Sequence, residues 1–554
     1  MKSRMQGLGG LILSLCFLAT CTQVSAQQNS NPKKVRDLHL DVQQYMEILG
    51  SAITTLQGHY VDTIDWNRVL SAGIDAMLSE LDPYCEFYSE EKQSEFKTMT
   101  TGEYGGIGAL IQQHGDTVVI ANPYEDRPAQ QAGVWVGDAI LAIDGESMIR
   151  KTTSQVSEKL RGQAGTTFTL RVLRPFEQEP REVQITRRKI VLDAVPYSGW
   201  VNDSVGYIAL DQFTDKAAQE VQSALVALRN DTSHDLKGLI FDVRSNGGGL
   251  LDEAVKIVGM FVPKGSPVVE TKAKRQEWNS SYRTNTNPIE PNLPIVCLVD
   301  RASASASEIL SGSLQDLDRA VIMGERSFGK GLVQSTRPLK YNTLMKFTSA
   351  KYYIPSGRCI QALNYGADGQ VAQIPDSLTH VFYTANGREV RDGRGIKPDV
   401  ELQAQVMSNL TFYLVRENVI FNYATRYHHS HASIPAIGDF HLTDEDYADF
   451  SKHALSVRKD SVLSLLKITD MAHELDSLRD EVQKSLESEI ALRYYYQHGQ
   501  EAQNLLFDNQ VKEAALLLAD ADRYEAILNP KAAAIKAEKA AKKAKKASKK
   551  AAKK

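Results

Sequence analysis

Three serines stand at alternate positions in Asp300-Arg301-Ala302-Ser303-Ala304-Ser305-Ala306-Ser307-Glu308-Ile309-Leu310, directly after the apolar run 294–299. A strand that runs into small residues and then into a helix beginning near Ala306 lifts a hydroxyl toward a helix N-terminus. Unpaired backbone N–H groups there stabilise negative charge. That geometry suits a nucleophile whose attack creates an oxyanion. Serines in front of a helix are also its ordinary caps, and this segment alone does not separate the two roles. A second segment, Gly324-Glu325-Arg326-Ser327-Phe328-Gly329-Lys330-Gly331, follows another apolar strand and sets a lysine between two glycines. Close backbone approach at those glycines leaves the lysine stem to be covered by the core. Burial lowers an amine's pKa, and a neutral amine can act as general base. The segment lacks the GxxxxGK[ST] spacing of a nucleotide-binding loop. A third segment, Asp242-Val243-Arg244-Ser245-Asn246-Gly247-Gly248-Gly249, ends a strand in three consecutive glycines. It reads either as a flexible turn or as a loop whose uncovered amides face a ligand.

Together these segments resemble the C-terminal processing peptidases, also called tail-specific proteases. In that family a serine within SASASE is the nucleophile and a lysine 25 positions later is the base, a spacing met here by Ser305 and Lys330. The resemblance further implies a catalytic acid at Asp316, 11 positions after the serine, and a glutamine that positions the lysine at Gln334, four positions past it. An aspartate near a helix end can equally form a surface or interdomain ion pair. The implied oxyanion hole combines the N–H of Ala306 with that of Gly247 or Gly248.

Gly102-Glu103-Tyr104-Gly105-Gly106-Ile107-Gly108, followed by a strand, is similar to the carboxylate-binding loop of a PDZ domain. Its companion Pro128-Ala129-Gln130-Gln131-Ala132-Gly133-Val134-Trp135-Val136-Gly137-Asp138 is close to the family's PAxxAGlxxGD. The implied substrate site is Gly105, Gly106, Ile107 and Gly108. Loop amides there capture a terminal carboxylate while the peptide adds as a strand and an apolar pocket reads its last side chain. Leu81-Asp82-Pro83-Tyr84-Cys85 resembles the family's LDPHS element with Tyr-Cys in place of His-Ser, and Gly395-Ile396-Lys397-Pro398-Asp399 resembles its closing GIxPD. The resemblance covers about residues 40–402.

The elements that must position these residues follow from periodicity. Residues 27–100 read as a helical region, with Val42, Tyr45, Met46 and Leu49 at helical spacing. Residues 101–176 read as the PDZ domain, closing on a final alternating strand 166–172. From 177 to 402 apolar strands (205–210, 238–243, 295–299, 320–323) alternate with helices (216–228, 253–261, 306–314), which implies an α/β protease core, a mixed sheet with helices, into which the PDZ domain is inserted. Residues 403–530 read as a helical C-terminal domain with long amphipathic runs such as 460–486.

The chain has 554 residues, 42% hydrophobic and 24% charged, enough for several cores and unlike a disordered or multi-span membrane protein. Lys2, Arg4, the short apolar run 8–19 and Val24-Ser25-Ala26 read as a signal peptide, 1–26, with lipidation of Cys21 as the rival reading; either way an exported, periplasmic protein is expected. Beyond the leader, Cys85, Cys297 and Cys359 form no disulfide framework or zinc signature, and Cys297 reads as a buried strand residue. From Lys531 onward 11 lysines face one glutamate, a solvated tail 531–554 suited at most to weak contact with anionic surfaces. His428, His429 and His431 read as surface histidines, since no ligand spacing supports a metal. The expected activity is that of an exported serine endopeptidase acting on proteins with exposed, apolar C-termini, without metal, cofactor or specific nucleic acid, and open to control by a partner protein. A non-catalytic PDZ adaptor on a protease scaffold is the alternative.

Overall fold

The computed structural model describes residues 32–90, 92, 97–98, 100–362, 376–536 and 539. The leader and most of the lysine-rich tail lie outside the described residues. Two compact units divide at Gly73. In the first, helix α1 (Pro32–His59) carries Val42, Tyr45, Met46 and Leu49 on one face, as the spacing predicts. A second helix, α2 (Trp66–Ser79), begins there and ends in the second unit. Among the described residues no helix is long and apolar enough to cross a membrane.

The second unit opens with a strand the sequence reading did not anticipate, β1 (Glu86–Tyr88). The PDZ region follows. Strand β2 (Glu103–Gly106) leads into β3 (Ala109–His114), β4 (Thr117–Pro123), helix α3 (Pro128–Gln131), β5 (Ala139–Ile143), β6 (Glu146–Ser147), helix α4 (Thr153–Leu160), β7 (Thr167–Leu173), β8 (Arg181–Thr186) and β9 (Arg188–Val191). Its sheet runs β3-β4-β5-β7-β8, so β3 is an edge strand. The domain therefore extends to Thr186, ten residues past the expected boundary at 176, because β8 pairs along β7 from Thr186 to Arg181. Val156 and Leu160 of α4 reach the domain's core, which includes Ile107, Val118, Ile140 and Phe168. A reciprocal Thr152–Gln155 capping box starts that helix.

The protease core comprises β10 (Tyr197–Asn202), β11 (Val205–Ala209), α5 (Ala217–Asn230), β12 (Gly238–Asp242), α6 (Leu251–Val258), β13 (Pro267–Ala273), β14 (Ser280–Arg283), β15 (Ile295–Val299), α7 (Ala306–Asp316), β16 (Val321–Gly324), β17 (Leu332–Pro338) and β18 (Leu344–Tyr353). The central sheet runs β10-β11-β12-β15-β16 and ends on the short strand Val400–Glu401. Its strands from β11 onward are parallel. Alternate side chains serve two cores. Leu239, Phe241, Ile295, Cys297 and Val299 pack against α5, α6 and α7. Ile240, Val296, Leu298, Val321 and Met323 pack against Val511, Ala514 and Leu517 of helix Asn509–Ala519 and Tyr524 and Leu528 of helix Ala521–Leu528. Burial on both faces explains why these strands read as unbroken apolar runs. A second sheet, β1-β18-β13-β14 with β17 also on β18, stands beside the first.

The C-terminal region has its own core around Tyr413, Tyr423, Phe450 and Leu486. The run 460–486 is not one helix but Asp460–Leu465, Met471–Ser477 and the start of Arg479–Phe507. The histidine cluster also differs in part from expectation. His429 and His431 are exposed, but His428 is half-buried, edge-on to Trp135 of the PDZ domain at 6.0 Å and to Tyr494 at 4.7 Å. Desolvation there holds its imidazole below the usual histidine range. Among the described residues no cluster of His, Cys, Asp or Glu is arranged to hold a metal ion.

Candidate active site

Beyond β15 the chain is folded back by Asp300, whose Oδ1 accepts the N–H groups of Ser245, Ala302 and Ser303. The three serines then separate by environment. Ser303 donates its hydroxyl to the carbonyl of Val243 at 2.8 Å, and Ser307 donates to that of Asn246 at 2.9 Å; both are fully buried. These two fasten the turn to the glycine loop. Ser305 instead is half-buried on the wall of a cavity of about 500 Å³ at the N-terminus of α7. It holds φ +58°, ψ −113°, a conformation that costs a non-glycine residue about 1–3 kcal/mol and persists only where neighbours over-determine it.

Those neighbours converge on Glu308, which is fully buried. Its Oε2 accepts the N–H of Ser305 at 2.9 Å and of Lys330 at 2.8 Å. Its Oε1 accepts Ser327 Oγ at 2.5 Å and the N–H of Gly329 at 2.7 Å. Burial pushes this carboxyl up to about 7 while the four donors pull the other way. Tyr352 adds a second tie, because its hydroxyl donates to the carbonyl of Ser305 at 3.2 Å and to that of Lys330. Two segments far apart in sequence thus share one buried carboxylate and one phenol. The sequence reading quoted Glu308 but gave it no role. The available signal was the Ser-x-x-Glu spacing at a helix start, where the glutamate reaches back to the cap residue's N–H.

Lys330 lines the same cavity. Desolvation, helped by the like charge of Lys346, brings its amine down to about 8. Among the described residues Nζ has neither an ion pair nor a hydrogen bond; it lies over the Tyr84 ring, 4.3 Å from the centroid. Gly331 is held by Gln361, which accepts its N–H at 2.8 Å, and a Cβ at Gly331 would sit 2.6 Å from the Gln361 nitrogen, so the close backbone approach is real. Gln334, on β17, also lines the cavity and donates to Thr348 Oγ1 at 3.3 Å.

Gly247, Gly248 and Ala306 complete the wall. Gly248 has φ +103°, and a Cβ there would lie 2.8 Å from Ser305 Cβ and 2.7 Å from the Ala304 carbonyl oxygen. Its N–H is taken by Asn246 Oδ1 at 2.8 Å. Among the described residues the N–H groups of Gly247 and Ala306 have no partner.

Asp316 is not brought to this cavity. It lies buried at the far end of α7, ion-paired with the equally buried Arg358 at 2.9 Å and accepting the N–H of Ser356 at 2.9 Å. The expected catalytic acid thus stands at the opposite end of α7 from Ser305, engaged in a buried ion pair, and does not line the cavity that holds Ser305 and Lys330. In the PDZ domain, Gly105 and Gly106 lie within β2, paired with Lys189 and Arg188, so only Ile107 and Gly108 connect it to the edge strand β3; both are buried, their carbonyls accepting the N–H groups of Ala129 and Tyr124. A concavity of about 900 Å³ borders Tyr104, Gly105, Ser157 and Arg161, with the Arg161 guanidinium over the Tyr104 ring.

The description "Peptidase family S41" matches residues 204–371, "PDZ domain" matches 119–174, and "Probable PDZ-protease, C-terminal helical domain" matches 410–464 and 465–518. The "Carboxy-terminal-processing protease" of Bartonella bacilliformis is 32% identical over 386 residues, 69% of this chain and 86% of that one. The "Probable CtpA-like serine protease" of Staphylococcus haemolyticus is 32% identical over 362 residues, 65% and 71% of the two chains. Among solved structures, a photosystem II D1 C-terminal processing protease is 27% identical with a TM-score of 0.35, covering 64% of this chain and 86% of its own. The chain belongs to peptidase family S41, as a serine protease of the carboxy-terminal processing type that carries a PDZ domain.

Proposed function

We propose that this protein is an exported endopeptidase that takes substrate C-termini on its PDZ domain and cleaves with Ser305 and Lys330. The observation that carries the reading is a single cavity wall bearing Ser305, an amine lowered to about 8, and the two unpaired amides of Gly247 and Ala306. Neutral Lys330 takes the proton from Ser305 Oγ as the oxygen attacks the scissile carbonyl carbon. The oxyanion forms against the N–H groups of Gly247 and Ala306, Gly248 being already engaged with Asn246. The Lys330 ammonium then gives its proton to the leaving amine. In the second half it deprotonates the water that attacks the acyl-enzyme, and the collapse returns Ser305. Gln334 keeps its place beside the lysine through Thr348.

The peptide joins the free edge of β3 alongside α4, its carboxylate at Ile107 and Gly108. Export rests on the Lys2/Arg4 start and the apolar run 8–19.

The experiment measures cleavage of an unfolded protein with an apolar C-terminus. Activity should rise with pH through about 8, because the base works only when deprotonated. Ser305→Ala and Lys330→Ala should abolish turnover while PDZ peptide binding survives. Parent-like turnover by either variant would refute the Ser305–Lys330 assignment, and a parent that cleaves nothing would leave only a tail-binding adaptor.

A further inference from the structure

We infer that Tyr84 is a positioning residue for the catalytic base, its ring face fixing where the Lys330 amine rests and how readily it holds a proton. The inference rests on the Ser305–Lys330 reading above and adds a residue to it.

The geometry begins in the backbone. Asp82 Oδ1 accepts the N–H groups of Tyr84 at 2.8 Å and Cys85 at 3.1 Å, which closes a tight turn. Immediately afterwards β1 pairs with β18 at Leu344–Lys346. Lys330 stands on the other side of β18, two residues before β17, which pairs with β18 along Leu344–Lys351. One central strand therefore sets both the ring and the amine. Lys330 Nζ lies 4.3 Å from the ring centroid, inside the range of a cation–π contact.

The charged and titratable groups around the amine come from every packed element. Lys346 on β18 repels a second positive charge, while Glu308 on α7, Glu86 on β1 and Asp82 in the turn favour it. Each is otherwise engaged. Lys346 is paired with Glu86 at 2.6 Å, Glu308 takes four donors, and Asp82 takes the turn amides. Tyr352 uses its hydroxyl on backbone carbonyls. What touches the amine is an aromatic face. A face attracts the ammonium but accepts no proton and carries no net charge. It can hold the lysine in both states of the cycle, where a carboxylate would lock the charged one and an aliphatic wall would favour the neutral one.

The test compares Tyr84→Phe and Tyr84→Leu in the full-length protein, reading kcat/KM against pH beside Lys330→Ala. Phe keeps the face and should keep the pH at which activity half-rises. Leu keeps the volume but not the face, so that midpoint should fall by about one pH unit, with a lower plateau because the amine is no longer held. Thermal melting and PDZ peptide binding check that both variants fold. If Leu keeps the parent's midpoint and plateau, or Phe shifts as Leu does, the inference falls. An inactive Lys330→Ala beside unshifted Tyr84 variants would overturn only this inference, whereas an active Lys330→Ala would overturn the Ser–Lys reading itself.

Discussion

Glu308→Gln tests the claim that nucleophile and base are mounted on one buried carboxylate. Glutamine keeps the shape and one oxygen but turns the other into an NH2. Two donors then face a donor, either the amides of Ser305 and Lys330 or Ser327 Oγ and the amide of Gly329. Leaving a buried donor unsatisfied costs about 1–3 kcal/mol, so two such losses come to about 2–6 kcal/mol. Some of that cost is relieved if Ser305 abandons its φ of +58°, which the Glu308 contact helps to hold. Movement of the hydroxyl away from the oxyanion donors is then the cheapest relaxation. A cost of about 3–4 kcal/mol in the reacting geometry corresponds to roughly 10²–10³ in kcat/KM. The assay is kcat/KM on a quenched peptide with an apolar C-terminus, with melting temperature and PDZ peptide affinity measured on the same preparation. The melting point should fall, cleavage should collapse, and peptide affinity should hold. Parent-like cleavage at a parent-like melting point would show that Glu308 holds neither segment in place.

Two further substitutions separate chemistry from packing. Gly248→Ala would push a methyl to within 2.8 Å of Ser305 Cβ at a φ of +103°, so cleavage should fall at least a hundredfold and the melting point should fall with it, and near-parent activity would place the glycine loop elsewhere. Asp316→Asn breaks a buried ion pair with Arg358, so stability should drop by about 3–5 kcal/mol in urea titration while the folded fraction still cleaves; lost activity at unchanged stability would restore a catalytic role.

The spans of the parallel strands were legible because side chains buried on both faces leave a plain apolar signature, as in Ile295–Val299. The nucleophile turn, the glycine loop and the lysine were legible as small residues beside a polar group. Asp316 misled because sequence distance along a helix does not say which end faces the cavity; eleven residues carry the chain to the opposite end of α7. The second sheet was missed because β17 and β18 are half-buried and mix polar with apolar residues, and β1, which pairs with β18, lies more than 240 residues upstream. Tyr84 and Tyr352 were invisible for the same reason, since each acts through a contact that only the closed fold creates. The strand β8, Arg-Glu-Val-Gln-Ile-Thr, does alternate, but it sends only Ile185 fully inward and so reads as a linker.

The helices after residue 500 have a practical meaning for anyone dissecting this enzyme. Val511, Leu517, Tyr524 and Leu528 close the face of the central sheet that Ile240, Val296 and Leu298 present. Arg244, just beyond β12, clasps Asp508 and Gln510 as well as Asp242. A shortened version ending where the family's common segment stops would bare a greasy slab beside the glycine loop. What looks from the linear order like an appendage is the lid of the hydrophobic box, and trimming must begin past Leu528.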